Sequence, residues 1–255
     1  MEWLGLQFVA EQPESGQVIL NCTHNPLLVL VAYLVACAAS FATLDMAERV
    51  VHAEEPGSQR LWRWIGATCL AGGIWAMHFI SMLAFQAPID IQYDLPVTLF
   101  SLVIALLASW LAMHTLSHPQ PSLLQYLKTA IVIGLGIAGM HYVGMAAIES
   151  AATAYYEPIL FVSSIVIAIG ASFAALWVAG YLREGSGLHI QMLKYVAALI
   201  LGAGILSMHF TGMAALQLVL PEGQSPTLAS QTSHLQLGLT VALITLLILG
   251  SAISA

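Results

Sequence analysis

The stretch "GGIWAMHFISM", residues 72–82, decides the fold, because it places a histidine between two methionines in an otherwise apolar segment. The same pattern returns in "GIAGMHYVGM", residues 136–145, and in "GILSMHFTGM", residues 204–213. A single histidine in an apolar helix is often a helix-contact residue. Three matched copies instead indicate an internal repeat that builds one common site.

The repeat follows the pattern G-x-x-x-M-H-[FY]-x-[GS]-M-x-A, with His78, His141 and His209 as its histidines. The segment before each copy repeats as well, as "CAASFATL", "LLASWLAM" and "IGASFAAL". The unit is therefore a pair of helices. We place its three copies at about residues 26–85, 95–148 and 159–219, followed by an unpaired helix at about 235–255.

Composition places the chain in a membrane. Of the 255 residues, 59% are hydrophobic and 7% are charged, whereas soluble proteins carry about a quarter charged residues. Seven apolar runs are long enough to cross about 30 Å of hydrocarbon as helices. We predict an all-α integral membrane fold, with residues 1–25 as an outer segment and residues 26–255 as the membrane domain. The runs are 26–46, 61–85, 95–114, 123–148, 159–182, 190–219 and 235–255.

The basic residues predict the orientation, because Lys and Arg collect in cytoplasmic loops. All six fall at the connections between helices 1 and 2, 3 and 4, and 5 and 6, which places the N-terminus outside and the C-terminus in the cytoplasm. These residues are Arg49, Arg60, Arg63, Lys128, Arg183 and Lys194. The opposite side carries acidic residues and no basic ones, so its field attracts cations.

Residues four positions apart share one face of a helix, so each histidine can point the same way as the methionine that follows it. We predict a metal site formed by His78, Met82, His141, Met145, His209 and Met213. The methionines before the histidines point about 100 degrees away and are second-tier candidates; they are Met77, Met140 and Met208. A ligand histidine also needs a partner for its second ring nitrogen, and the nearby hydroxyls belong to Ser81, Tyr142 and Thr211.

Thioether and imidazole without carboxylate or thiolate favour copper, above all Cu(I). A neutral ligand set also suits a monovalent ion in a medium where an unpaired charge is costly. Methionines at helical spacing are usually core filler, and this alternative explanation stays open. Against it, six of the ten methionines lie in the three motifs.

The motifs "WAMHFISM", "GMHYVGM" and "SMHFTGM" resemble the signature repeats of the MHYT family of bacterial integral membrane sensor domains. The segment "HNPLLVLVAYLVACAASFATLD", residues 24–45, is similar to the first helix of that family. The chain departs from the signature at Phe79 and Phe210, which replace Tyr. It departs again at Ser81, where the other copies have Gly144 and Gly212.

The resemblance implies a sensor in the bacterial cytoplasmic (inner) membrane, with copper near the outer face and oxygen, carbon monoxide or nitric oxide as the stimulus. It also implies a fused cytoplasmic output domain that makes or degrades cyclic di-GMP. We expect this chain to be the sensory segment alone and not an enzyme, since it contains no nucleophile–base pair, paired acids or phosphate loop.

Several alternatives remain at this stage. Two histidines could ligate haem iron, or the chain could be a copper carrier or channel. We expect the lipid bilayer, a metal ion and a diatomic gas as partners, and no nucleic acid; a homodimer is an open alternative to a monomer. Cys22 and His24 could capture an ion outside, and Asp45 could either be a helix-contact residue or pass a signal inward.

Overall fold

The computed structural model describes residues 7–8, 18–118, 121–185 and 187–221, together with residues 238, 241 and 245. Six helices in these residues are long and apolar enough to cross a membrane. They make the chain a multi-pass membrane protein. The helices are α1 Pro26–His52, α2 Pro56–Ala84, α3 Leu95–Leu116, α4 Leu123–Ala146, α5 Pro158–Leu182 and α6 Leu188–Ala215.

These six helices match the first six predicted spans. The predicted seventh span, residues 235–255, lies outside the described residues except for Gly238, Val241 and Thr245, which are helical. The prediction that the sixth helix runs to residue 219 is wrong: the helix ends at Ala215, and Leu216–Leu220 is a strand. A short apolar run fits the end of a helix and a buried strand equally well, so its pattern could not separate them.

Short strands, which sequence analysis did not predict, close each repeat. The strand before the first helix of each pair runs antiparallel to the strand after the second helix. The repeat is therefore a strand–helix–helix–strand unit. The pairs are β3 Thr23–His24 with β4 Phe85–Gln86, β5 Gln92–Tyr93 with β6 Ile148–Glu149, and β7 Thr153–Tyr156 with β8 Leu216–Leu220. Two further strands, β1 Gln7–Phe8 and β2 Val18–Ile19, flank the last pair in the order β1-β7-β8-β2.

Each odd-numbered helix begins with the same pattern of capping hydrogen bonds. A side-chain oxygen of the cap residue accepts a hydrogen bond from the first turn. The backbone N–H of the cap residue also donates, at 2.8 Å, to the carbonyl of a fully buried alanine at the end of the partner helix. The bonded pairs are Asn25 with Ala84, Asp94 with Ala147, and Glu157 with Ala215. These alanines are the last residue of the sequence motif.

The six helices form a closed ring in which each packs against its neighbours in sequence and α6 packs against α1. Close approach within each pair depends on the motif glycine, which lies against an alanine of the preceding helix. A methyl group at Gly136, for example, would lie 2.8 Å from Cβ of Ala108. Small residues allow such packing in lipid. The matching pairs are Gly73 with Ala39 and Gly204 with Ala171.

The ring has two distinct ends, which we call the strand side and the basic side. The strand side carries the strands and the ends of α2, α4 and α6. The basic side carries the α1–α2, α3–α4 and α5–α6 connections, and all six Lys and Arg residues lie at or near it. The predicted separation of charge between the two ends is therefore present in the fold.

Candidate metal centre

The three motif histidines meet on the axis of the ring. Nδ1 of His78 lies 3.1 Å from Nδ1 of His209 and 3.1 Å from Nδ1 of His141. The ring centroids are 5.0 to 5.1 Å apart and the ring planes are nearly perpendicular. The prediction that α2, α4 and α6 bring their histidines together is correct, and the ligand atoms have the spacing of a metal site.

The site is completely enclosed. All three histidines are 0% exposed. They lie five or six residues before the ends of their helices, which places them roughly 8–9 Å below the strand side at 1.5 Å per residue.

The hydrogen-bonding capacity of the cluster is frustrated. Nδ1 of His78 faces two other Nδ1 atoms, yet a neutral ring nitrogen holds either one hydrogen or one lone pair. It can satisfy at most one neighbour with a well-directed hydrogen bond. Among three nitrogens with two possible states at least two are alike, so not every pair can form a hydrogen bond in this medium of low dielectric constant. A cation shared by the three nitrogens would remove this conflict.

The outward nitrogens are held against glycine. A methyl group at Gly144 of α4 would lie 2.6 Å from Nε2 of His78 on α2. A methyl group at Gly212 of α6 would clash with Nε2 of His141 on α4 in the same way. Each of these glycines thus makes room for the histidine of another even-numbered helix. The glycine is visible in the sequence motif, but the motif does not show that it contacts a histidine of a different helix.

The expected hydroxyl partners bond elsewhere. The hydroxyl of Ser81 donates to Sδ of Met77 at 3.7 Å, that of Tyr142 bonds to Oγ of Ser164 at 2.7 Å, and that of Thr211 donates to a carbonyl of its own helix. Nε2 of each histidine is buried without a hydrogen-bond partner among the described residues. Tight glycine contacts at Nε2, rather than hydrogen bonds at that atom, therefore orient the rings of His78 and His141.

The six motif methionines are all buried beside the cluster. Their exposed fractions range from 0 to 6%, with Met213 the highest. Met213 lines a cavity on the strand side, and the sulfur of Met77 is already a hydrogen-bond acceptor. The full set is Met77, Met82, Met140, Met145, Met208 and Met213.

A second cavity lies on the axis, on the basic side of the histidines. Its volume is about 70 Å³ and its walls come from all six helices. One helical turn separates it from the cluster, because Ile74, Ile137 and Ile205 line it four residues before the histidines. Its lining is almost entirely apolar, so it can hold a small apolar molecule more readily than water.

Comparison with known families matches three segments of the chain, residues 72–128, 134–190 and 202–254, to MHYT, described as the bacterial signalling protein N terminal repeat. Each segment begins just before a histidine motif, and the first two run through the next helix into the start of the helix after it. The matched repeat is thus offset from the strand–helix–helix–strand unit seen in the fold. No solved structure matches the chain.

Three curated proteins show the similarity across long segments. The cyclic di-GMP phosphodiesterase NbdA of Pseudomonas aeruginosa is 49% identical over 100% of this chain and 32% of its own length. The bifunctional diguanylate cyclase/cyclic di-GMP phosphodiesterase MucR of the same organism is 42% identical over 78% of this chain and 29% of its own. The signaling protein YkoW of Bacillus subtilis is 32% identical over 77% of this chain and 24% of its own. The chain therefore spans a third or less of the length of these relatives.

Proposed function

The chain belongs to the MHYT family of bacterial signalling repeats, and from this membership we propose that it is a membrane sensor domain that holds copper at its three-histidine cluster. The ligands are His78, His141 and His209, with Met82, Met145 and Met213 as thioether ligands. The observation that carries the proposal is the convergence of three buried Nδ1 atoms, two of whose contacts measure 3.1 Å.

The cluster fits a small cation in size. A metal at about 2.0 Å from each of three imidazole nitrogens holds those nitrogens roughly 3.3–3.5 Å apart. The two observed contacts of His78 Nδ1, at 3.1 Å each, are only a few tenths of an ångström shorter. Small rotations of the three rings are enough to open the site.

The chemistry of the donors favours copper over other ions. Neutral imidazole and thioether ligands, without a carboxylate, select Cu(I) rather than Mg²⁺, Ca²⁺ or Zn²⁺. When bound, copper supplies a centre that can take a small gas molecule. The histidines hold the ion and position it, while the enclosing helices exclude water from it.

We further propose a diatomic gas, such as nitric oxide, oxygen or carbon monoxide, or copper itself, as the stimulus. The axial cavity supports a gas, because apolar molecules partition into apolar space and this space ends one turn from the histidines. Filling it through Ala112→Phe, on the wall formed by α3, should slow carbon monoxide binding to the Cu(I)-loaded protein in infrared measurements. An unchanged rate would contradict a route through the cavity.

The names of two relatives support a proposal for what the sensor regulates. NbdA and MucR are named as cyclic di-GMP enzymes. We propose that this chain regulates such an output on the cytoplasmic side of the inner membrane, with the strand side outside. The placement of all basic residues on the opposite side supports this orientation.

The geometry disfavours haem. Two axial nitrogens stand on opposite sides of the iron, about 4 Å apart, with the macrocycle between them. Here the three rings are in mutual contact. A copper channel is also disfavoured, because the walls of the axial cavity on the basic side are apolar and provide no ligand set to continue a path.

Anaerobic titration of the purified protein with Cu(I) buffered by a chelator tests the proposal. We expect one high-affinity ion per chain at the cluster, lost when His78, His141 and His209 are all replaced by Gln. Circular dichroism checks that the variant remains helical. An unchanged number of tightly bound ions per chain after the triple substitution, or a Soret band in the absorption spectrum that shifts with carbon monoxide, would overturn it.

A matched pair of substitutions tests the thioether ligands. Met82→Leu should weaken Cu(I) binding, since Met82 shares the helix face of His78. Met77→Leu should change it little, because its sulfur accepts the Ser81 hydroxyl instead. Equal losses in the two variants would remove the distinction between the two sets of methionines.

A further inference from the structure

A second group of metal-ligating side chains lies on the strand side, beside the histidine cluster but outside it. Cys22, His24 and Met213 line one cavity of about 270 Å³. Cys22 and His24 are two residues apart where the chain extends into β3, so their side chains point to the same side. A thiol, an imidazole and a thioether thus face a common space.

The groups in this cavity are available for binding. Nε2 of His24 is buried and has no hydrogen-bond partner among the described residues, and the Cys22 thiol makes only a long contact of 3.7 Å to the Leu20 carbonyl. Burial lowers the pKa of His24 and raises that of the Cys22 thiol, because the charged forms lose water. A cation would compensate this loss for the thiolate.

The ring of His24 is held in place by aromatic contacts. It lies 5.4 Å from the Phe85 ring of β4 and 5.2 Å, edge to face, from the Phe210 ring of α6. These contacts fix the imidazole at the wall of the cavity. The position is therefore built by three elements of the fold and not by the loop alone.

The cavity adjoins the histidine cluster. Phe210 contacts His24 on one side and His209 on the other, with ring centroids 5.2 and 5.0 Å apart. Met213 lines the cavity and lies one helical turn after His209 on the same face. Met213 is the residue that the two sites share.

We propose that this cavity is a second soft-metal site, in which Cys22, His24 and Met213 capture Cu(I), or its analogue Ag(I), and pass it to the histidine cluster. The three donors are those that soft monovalent ions prefer. The strand side also carries acidic residues and no basic ones, so cations concentrate there.

The steps balance without a redox partner. On capture, the ion replaces the thiol proton of Cys22, which leaves to water. On transfer, the bond between sulfur and the ion breaks, the ion gains imidazole ligands, and the thiolate takes up a proton. The oxidation state of the ion does not change. The destination of the ion rests on the proposed function, whereas its capture does not.

Thiol labelling of the full-length chain tests the capture step. Cys22 is half-buried while Cys37 and Cys69 are buried in helices, so a maleimide should label Cys22 selectively. We expect Cu(I), buffered by bicinchoninic acid under anaerobic conditions, to slow this labelling at least tenfold. The effect should require the cavity: His24→Gln and Met213→Leu should remove most of the protection, and His52→Gln, an exposed histidine on the basic side, should not. A lone thiol would be protected equally in all four proteins, and that result would overturn the site.

The rate at which the histidine cluster fills with Cu(I) tests the transfer step separately from copper binding at the cluster. In His24→Gln the cluster should reach the same final Cu(I) occupancy but fill about ten times more slowly. Equal filling rates would overturn the transfer role. Loss of protection in the cavity variants together with a cluster that never binds copper would support capture and contradict the proposed function.

Discussion

Two polar clusters lie on α6, one near each end. The charges of one cluster balance, whereas the ring nitrogens of the other cannot all find hydrogen-bond partners. Lys194, near the basic side, is 1% exposed and is ion-paired with Glu48 and with Asp45, the latter at 3.5 Å. Asp45 also pairs with Arg49 at 3.0 Å. About 22 Å along the helix, His209 meets two other histidines with no opposite charge beside them.

The Lys194 cluster is complete in the sense that its own charges balance, and the histidine cluster is not complete in this sense. The Lys194 cluster contains two bases and two acids, so its charges balance and it holds α1 against α6 without any ligand. The histidine cluster contains three equivalent groups whose nitrogens cannot all satisfy one another. The first arrangement is typical of a structural ion pair, and the second is the one to which we assign the proposed metal ion.

The largest expected effect is on metal binding at the histidine cluster. Replacing His141 by Gln removes one of the three imidazole ligands of the proposed site, and the ligands of structural zinc sites together share about 10–16 kcal/mol. We expect Cu(I) affinity to fall about 1,000-fold, or about 4 kcal/mol. Competition with a Cu(I) chelator measures the loss.

The matched control for this prediction is His52→Gln. His52 is exposed at the end of α1, where its Nδ1 bonds to the Glu48 carbonyl. Its replacement should leave the affinity unchanged. A similar loss in both variants would mean that copper binds at scattered surface histidines and not at the cluster.

The second prediction breaks the complete cluster. Lys194→Met leaves the partly exposed carboxylates of Asp45 and Glu48 without the buried ammonium group that pairs with both, and leaving such a group unsatisfied costs about 1–3 kcal/mol. We expect the stability in detergent to fall by about that amount, and Cu(I) affinity to stay within a few-fold because the clusters are far apart. Thermal unfolding and chelator competition measure the two effects.

Two further variants sharpen this result. Adding Glu48→Gln to Lys194→Met removes the stranded charge and should restore part of the lost stability. Lys128→Met, at an exposed position of α4, should change stability by no more than about 0.5 kcal/mol. If the Lys194 variant instead lost copper as strongly as His141→Gln, the two clusters would be coupled and not independent.

The repeated features of the fold could be predicted from the sequence. Three copies of one motif at one depth required the histidines to meet, and the basic residues predicted the two ends of the bundle. The partners of Lys194 were not predictable, because Asp45 and Glu48 lie nearly 150 residues away and nothing in their pattern points to α6. Asp45 proves to be the helix-contact residue that the sequence suggested.

The short strands and the strand-side cavity were missed for a different reason. A strand of two residues has no period to detect. The pairing of β3 with β4 nevertheless fixes His24 opposite Phe85 and places Cys22 and His24 beside Met213. A capping residue recurs at the start of each odd-numbered helix, as Asn25, Asp94 and Glu157. This recurrence could have indicated that each repeat ends in a similar contact.

The third prediction concerns the glycines that orient the histidine rings. In Gly144→Ala the new methyl group would meet Nε2 of His78 at 2.6 Å, so the ring must turn away from the shared centre. We expect Cu(I) affinity to fall about tenfold, or about 1.4 kcal/mol. The same measurement as for His141→Gln applies.

Gly139→Ala is the control on the same helix. Its new methyl group would have Ile104 as nearest neighbour at 3.8 Å, an ordinary contact. Alanine in place of glycine inside a helix should raise stability by roughly 0.5–1 kcal/mol and leave copper binding unchanged. Equal losses of affinity in both variants would assign the effect to the helix rather than to the histidine contact.

The smallest expected effect lies at the tyrosine that gives the second motif its complete signature. Tyr142 bonds to Ser164 of α5 at 2.7 Å, but the Ser164 hydroxyl also donates to the Phe161 carbonyl and stays satisfied without it. Tyr142→Phe should therefore cost only about 1 kcal/mol of stability and should not change Cu(I) affinity, since Phe79 and Phe210 occupy the same place in the other motifs. A clear loss of copper in chelator competition would instead place this hydroxyl in the metal centre and make the three repeats unequal in function.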